Sequence, residues 1–367
     1  MSENSKICSR CVMDTTDTKI VFDQNGICNH CHNFDLNAHK IWMPNNEGKN
    51  NLDKIIQKIK KKNKRRDFDC IMGLSGGLDS SYLALKLKEY NLRTLVVHVD
   101  GGWNSELAVN NIEVVINHCN YELHTHVVNW EAMKNLQVAY LKSGISNQDV
   151  PQDHVFFAVL YKEAIKRKCK TFMSGGNVAT EYITPNSWHG SAMDSINLYD
   201  IFKKHGSGSL KGYTTIGFYD WAILFNLRGF KQIRPLNFMP YTTKLAVDEL
   251  NKIGWRNYSK KHGESIFTKF FQNYYLPKRF GYDKRKLHYS SRILSEDMTR
   301  DEAVAALAKP LYDEIELKND IDYLCKKLQI SLEDLDGYLN MPLRTFDEYK
   351  NWNSRYTFFR KLKKLVN

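Results

Sequence analysis

The sequence predicts an α/β fold: a parallel sheet carrying a glycine loop, with a small cysteine module before it and a mainly helical region after it. Three observations predict this. Short apolar, β-branched runs alternate with amphipathic stretches from Cys70 to Ser174, the pattern of strand–helix–strand units. The first run, Cys70-Ile71-Met72-Gly73-Leu74, passes through Ser75-Gly76-Gly77 into a stretch whose Leu83, Leu87 and Tyr90 share one helical face. Two close cysteine pairs precede both.

The cysteine module comes first. Cys8 and Cys11, then sixteen residues, then Cys28 and Cys31 give the spacing of a structural zinc site. Each pair offers two thiolates from a tight turn. Four thiolates complete a tetrahedron and leave no open position for chemistry. Gly26 sits in the turn of the connecting hairpin, from Ile20-Val21-Phe22 to Ile27. His30 and His32 read as bystanders, and four reduced, unliganded cysteines are the competing reading. Residues 37–50, with Pro44, Asn45, Asn46 and Gly48, read as a linker. Leu52 to Lys64 reads as a basic amphipathic helix, with Leu52, Ile55, Ile56 and Ile59 on one face.

The glycine loop follows. Gly76 and Gly77 permit backbone angles and close approach that a Cβ would block. A turn at a helix N-terminus presents unpaired N–H groups and a positive dipole end, which suits a phosphate. The Gly-Lys-Ser/Thr ending of a Walker A loop is missing. The competing reading is a turn that binds nothing.

A second strand, from Thr94, ends in Asp100-Gly101-Gly102. Ala108 to Cys119 makes the next helix, and Glu122 to Asn129 a third strand. Asp149 to His154 opens an apolar helix; either Asp153 is its N-cap, or Asp149, Gln152 or His154 faces a substrate. Lys170 to Ser174 is a fourth strand, ending in Gly175-Gly176-Asn177 with Glu181 just beyond. Ligands of open α/β sheets bind beyond the carboxyl ends of strands, so the two glycine turns, with Asp79 and Glu181, can converge on one site.

Residues 185–240 show no clear periodicity. Their aromatics, among them Trp188, His189, Tyr213, Phe218 and Trp221, form either a sugar-facing wall or ordinary core. Lys244 to Ile253 is a helix closed by Gly254. Tyr274 to Arg292 concentrates Lys278, Arg279, Lys284, Arg285, Lys286, His288 and Arg292. They either stabilise charge in a dry site or form a solvated helix face. Thr299 to Glu302 is a capping box, and Leu311, Ile315, Ile321, Leu324 and Leu328 are core candidates of the last helices. The expected divisions are 1–48, 49–240 and 241–367.

Across its 367 residues, 53 Lys and Arg against 41 Asp and Glu give a net charge of +12. The excess is concentrated: residues 49–66 hold nine basic residues and one acid, Asp53. Such clusters attract nucleic acid, anionic surfaces or phosphorylated small molecules. No window approaches the ~18 apolar residues of a membrane span. The N-terminus has no apolar leader core, so a cytoplasmic protein without membrane partners is expected.

Ser75-Gly76-Gly77-Leu78-Asp79-Ser80 resembles the loop of the PP-loop ATP pyrophosphatases (adenine nucleotide alpha hydrolase-like), which split ATP into AMP and pyrophosphate while adenylylating a carbonyl oxygen. The wider pattern is similar to the N-acetyl sugar amidotransferases of bacterial surface-polysaccharide and flagellin-glycan synthesis. ICSRCVMDTTD and FDQNGICNHC precede SGGLDSSY, HVDGGWNSE, DVPQDHVFFAVLYKEA and SGGNVATE follow, and FGYDKRKLHYSSRILSEDMTRDEA comes near the end.

The resemblance implies ATP, Mg²⁺ and structural Zn²⁺ as cofactors. It places Gly73, Leu74, Ser75, Gly76, Gly77, Ser80, Val99, Asp100 and Gly175 around the nucleotide, and Asp79 and Glu181 on Mg²⁺. Asp79 and Ser80 would join Lys284, Arg285 and Lys286 at the reaction centre, the last three facing pyrophosphate or an acidic sugar. A UDP-linked acetamido sugar is the implied substrate. Cys70, Cys119, Cys169 and Cys325 are isolated, and Ser2 rather than Cys follows the initiator Met, so no glutaminase nucleophile is visible. Ammonia is expected from a separate glutaminase chain of the imidazole-glycerol-phosphate-synthase type.

Two alternatives stand. One is a tRNA-thiolating PP-loop enzyme, which the positive charge suits; such chemistry usually needs catalytic cysteines, and no CxxC follows Asp79. The other is a non-catalytic zinc-ribbon protein that binds nucleic acid.

Overall fold

Five parallel strands, β1 (Cys70–Gly73), β2 (Thr94–Asp100), β3 (Glu122–Val127), β4 (Thr171–Met173) and β5 (Lys231–Ile233), lie in the order β3-β2-β1-β4-β5. The computed structural model describes residues 6–185, 188, 190–226, 229–258 and 263–366, so Ser2, His189 and Lys260 lie outside the described residues. Cys70 pairs with Thr94 on one side of β1, and Ile71 with Phe172 on the other. The chain winds outward from β1 to β3, then returns to add β4 and β5 on the far side. Strand order therefore reverses between β1 and β4, and their carboxyl ends flank a crevice.

Alternate residues of β1 and β2 feed two cores, because strand side chains alternate in direction. Cys70, Met72 and Val96 pack under α2 (Asn46–Asn63), α3 (Leu78–Glu89), α4 (Glu106–Cys119) and α10 (Thr243–Asn251), through Leu52, Leu87, Val115 and Leu250. Ile71, Leu95 and Val97 pack under α5 (Trp130–Ser143), α6 (Val150–Lys166) and α8 (Ser195–His205), through Leu136, Val159 and Leu198. Each such fully buried aliphatic side chain contributes roughly 1.5–3 kcal/mol. Helix α10 lies beyond residue 240 yet belongs to the sheet's layer.

Much of the expected linker at 37–50 is ordered. Helix α1 (Asn29–Asn37) carries Cys31 and ends in a 3₁₀ turn, Ala38–Lys40; α2 then starts at Asn46, its Asn45 cap accepting from the Gly48 N–H at 2.9 Å. The stretch 185–240 folds as α8, α9 (Phe218–Asn226) and β5. Beyond α10, α11 (Ile266–Phe270), a wider π turn (Phe271–Tyr275) and α12 (Leu276–Phe280) run on as one rod. Phe267, Phe271 and Tyr275 of this rod pack with Leu141 of α5, and with Leu324 and Leu328 of α15 (Glu314–Leu328). Ile315, expected in that core, is 73% exposed. Helix α13 (Lys284–Leu294) leads to α14 (Arg300–Leu307), which opens on the expected Thr299–Glu302 capping box. Helices α16 (Leu332–Asn340) and α17 (Asn353–Val366) complete the chain. Among the described residues, no helix is long and apolar enough to cross a membrane.

Candidate active site

The loop after β1 is drawn tight by its own hydroxyls. Ser80 Oγ lies 3.2 Å from Ser75 Oγ and donates to the Gly77 carbonyl, and the Gly77 N–H donates to Ser75 Oγ at 3.2 Å. Gly76 has φ +81°, and a Cβ there would stand 2.6 Å from the Ala108 carbonyl oxygen. Its own carbonyl accepts from Trp255 Nε1 at 3.1 Å and from the Tyr258 hydroxyl at 3.0 Å. Gly77 stands at the N-cap of α3 and has no side chain with which to close the first turn; Gly77, Leu78 and Asp79 line the second cavity there.

The second glycine turn, which leads from β4 into the short helix α7 (Val178–Glu181), meets the first. A Cβ on Gly175 would lie 3.0 Å from the carbonyl carbon and oxygen of Asp79. Asn177 reaches across: its Nδ2 donates to Asp79 Oδ1 at 3.2 Å, while its Oδ1 accepts from the Thr180 N–H. The Tyr241 hydroxyl donates to the same Asp79 oxygen. Burial, then the Asp79 carboxylate, push the Tyr241 phenol well above its ordinary range, so it remains a donor. Asp79 is thus oriented from two elements far away in sequence.

Two cavities open on this junction. The first, about 820 Å³, lies beyond β1 and β2 and is lined by Gly73, Leu74, Val99, Phe156 and Phe172. The second, about 690 Å³, lies toward α13 and takes in Gly77, Asp79, Gly175 and Arg292. Ser75, Ser80, Glu181, Glu264, Lys284 and His288 line both. Glu264 reaches the loop itself, because a Cβ on Gly77 would stand 2.9 Å from its Oε1.

Several expected site residues have other roles. Asp100 turns back on its own strand end, its Oδ1 accepting from the Gly102 N–H at 2.8 Å and from Asn104 Nδ2 at 3.2 Å; it lines neither cavity. His98 stands at the cavity wall instead, donating from Nδ1 to the Leu74 carbonyl at 2.9 Å. Gly76 shapes the loop from behind and lines neither cavity. Arg285 borders the second cavity, but its guanidinium is held by Asp283 and by the carbonyls of Ala306, Leu307 and Lys309 at the end of α14. Lys286 points away from both cavities and pairs with Asp14. Of the α6 candidates, Asp149 rather than Asp153 stands at the N-cap position, but its side chain caps no backbone N–H and accepts instead from Gln152 Nε2 and Thr268 Oγ1, each at 3.0 Å; Asp149, Gln152 and Asp153 line the first cavity. His154 is fully buried, its two nitrogens spent on the Ala192 carbonyl and the Ile216 N–H.

Tyr241, Asn177 and Glu264 escape the sequence reading. Asn177 was visible as part of a glycine turn but carried no sign of its partner. Tyr241 and Glu264 follow no motif.

In the cysteine module, the sulfurs of Cys8, Cys11, Cys28 and Cys31 lie within 4.8 Å of one another, all fully buried. Cys8–Cys31 is 3.8 Å and Cys11–Cys28 3.7 Å. A tetrahedron with Zn–S bonds of ~2.3 Å has edges of about this length. Backbone N–H groups of Cys11 and Cys28 point at Cys8 Sγ, at 3.4 and 3.3 Å, which suits a thiolate. The donor set fits zinc. His30 and His32 pair with Asp17 and Asp23 and stay outside the cluster.

Residues 264–363 match a family described as LPS biosynthesis protein WbpG-like, C-terminal domain. No curated protein sequence matches the chain. Among solved structures, NMN synthetase from Francisella tularensis aligns at 14% identity and TM-score 0.36, over 76% of this chain and 97% of that one. The NH3-dependent NAD synthetase from Campylobacter jejuni subsp. jejuni aligns at 15% identity and TM-score 0.28, over 57% and 97%. These alignments are too loose to bear on function. In this chain the WbpG-like C-terminal domain is joined to a parallel α/β sheet with a glycine loop at its centre.

Proposed function

We propose that the protein is an ATP-dependent amidotransferase that converts the N-acetyl group of a nucleotide-linked sugar into an acetamidino group. The observation that carries this is the junction of the two glycine turns, where an oriented carboxylate, Asp79, lies in the first turn of α3, behind a glycine N-cap, between two cavities. In the reaction, the amide oxygen attacks the α-phosphorus of ATP and pyrophosphate leaves. Ammonia then adds to the activated carbon, loses a proton and expels AMP, so nitrogen replaces oxygen. An amide carbon is a poor electrophile, and adenylylation of its oxygen supplies the leaving group.

The chain's residues divide this work. The first-turn N–H groups of α3 bind phosphate oxygens. Val99, Phe156 and Phe172 give the first cavity an apolar wall suited to adenine, and Lys284 offers positive charge to departing pyrophosphate. Asp79 and Glu181 would hold Mg²⁺, which when bound neutralises phosphate charge. The four cysteines would hold a structural Zn²⁺. Cys70, Cys119, Cys169 and Cys325 are buried, burial pushes the Cys70 thiol up, and none lines either cavity. This supports amide chemistry over sulfur transfer. Ammonia would come from a separate glutaminase chain.

The test is mass spectrometry of UDP-linked diacetamido sugars incubated with the protein, ATP, Mg²⁺ and ammonium. A product with one oxygen replaced by NH, and AMP formed with it, supports the proposal. Cleavage of ATP to ADP, or sulfur transfer to tRNA, overturns it. Glutamine serving as well as ammonium, with the purified chain alone, overturns the separate glutaminase.

A further inference from the structure

We propose that the cysteine module acts on the reaction at a distance, through α13, by positioning the residues this helix lends to the two cavities. The inference rests on the nucleotide reading of the site and not on the identity of the second substrate.

Helix α13 has three working faces. Lys284 and His288, one turn apart, line both cavities, and Tyr289 and Arg292 line the second. A second face meets the segment after β4: Ser291 Oγ accepts from the Ile183 N–H at 3.0 Å, and His288 Nδ1 donates to the Thr180 carbonyl at 3.1 Å. The third face meets the cysteine module. Lys286 pairs with Asp14, and Ser290 Oγ accepts from the Val12 N–H at 3.1 Å.

The grip continues into the next helix. Arg300, at the start of α14, donates to the carbonyls of Cys11 and Cys8, each at 3.2 Å. Arg285 in turn ties α13 to the other end of α14 through three backbone carbonyls. The two helices therefore move as one piece, held at four points by the segment Cys8–Asp14. That segment is pinned by two of the four cysteines, by the Cys8 N–H donating to the Met13 carbonyl at 2.9 Å, and by the Ile7–Asp14 bridge. Asp14 is nearly buried, with 4% of its side chain exposed against 20% for Lys286. Removing either partner leaves a charge in a poor environment. Lys286 is two residues from Lys284 and from His288, so any loosening there displaces both.

Lys286 and Asp14 are thus positioning residues, one step removed from the reacting atoms. The test is hydrogen–deuterium exchange on the full chain, with affinity for a non-hydrolysable ATP analogue measured alongside. Lys286→Ala, Asp14→Asn and chelation of the metal should each raise exchange at 284–294, and leave α4 unchanged. Each should weaken analogue binding by about 10-fold, the usual scale of coupling between linked sites. Lys286→Arg, which keeps the ion pair, should restore both. Unchanged exchange at 284–294 overturns the inference, and so does a uniform rise across the chain. If the unaltered protein binds no analogue, the nucleotide reading fails, while the exchange data still decide the coupling.

Discussion

The Tyr241 hydroxyl donates a hydrogen bond to Asp79 Oδ1, across 162 residues of sequence. It shares that oxygen with Asn177 Nδ2, so the carboxylate is fixed from two sides. Supporting partners of this kind orient a metal-binding carboxylate. Tyr241→Phe is expected to lower kcat for pyrophosphate release by about 10- to 100-fold. Asp79→Ala should abolish it. Full activity in Asp79→Ala would remove Asp79 from the reaction centre, and full activity in Tyr241→Phe would show that Asn177 alone orients it.

Gly175 has no room for a side chain. A Cβ would press at 3.0 Å on the Asp79 backbone, which cannot yield as a flexible side chain would. Gly175→Ala should part the two turns, costing about 1–3 kcal/mol of stability and most of the pyrophosphate release. Urea denaturation and a release assay read the two effects separately. An alanine variant with unchanged activity would show that the turns need not touch.

The cysteine cluster should carry one zinc ion per chain. Metal analysis of purified protein checks the stoichiometry, and thermal unfolding checks its role. Cys11→Ser should lose the metal and unfold at lower temperature, since binding energy at such a site is folding energy. A metal-free chain of unchanged melting temperature would contradict a structural site.

His154 should make the fold sensitive to mild acid. Its Nδ1–H donates to the Ala192 carbonyl, and its Nε2 accepts from the Ile216 N–H. A second proton would have to face that N–H. Burial accordingly lowers its pKa from 6.5 to about 4. The unfolded chain takes up the proton near pH 6.5 and the folded chain only near 4, so stability falls as pH drops across that window. The full loss from this group is about 3 kcal/mol. Urea midpoints between pH 7.5 and 5 should fall less for His154→Gln than for the unaltered chain. Equal slopes would refute the assignment.

What sequence reading reached depended on how local the signal was. The glycine loop, the Cys8–Cys31 spacing and the Thr299–Glu302 box each lie within a short stretch, and each took the expected form. Strand β5 is only Lys231-Gln232-Ile233, too short for alternation to show. The order β3-β2-β1-β4-β5 depends on pairings among distant strands. Arg285 and Lys286 looked like phosphate ligands because sequence shows charge but not its partner. Their partners, the end of α14 and Asp14, come from opposite directions along the chain. Asp100 failed for the opposite reason: its partners, Gly102 and Asn104, were next to it, and a strand-end turn was enough to occupy it.

The π turn at Phe271–Tyr275 bears on how this chain can tolerate a change of length. Gln272 lies on it and lines both cavities. A wide turn is an α-helix with one residue too many, and each residue advances a helix by about 100°. Deleting one residue here would restore ordinary winding. Because the extra residue is taken up within the wide turn, Phe267 and Leu276 would keep their relative phase, and what is lost is the bulge that brings Gln272 to both cavities. A single-residue deletion at this turn should therefore leave the rod packed while withdrawing Gln272 from the site.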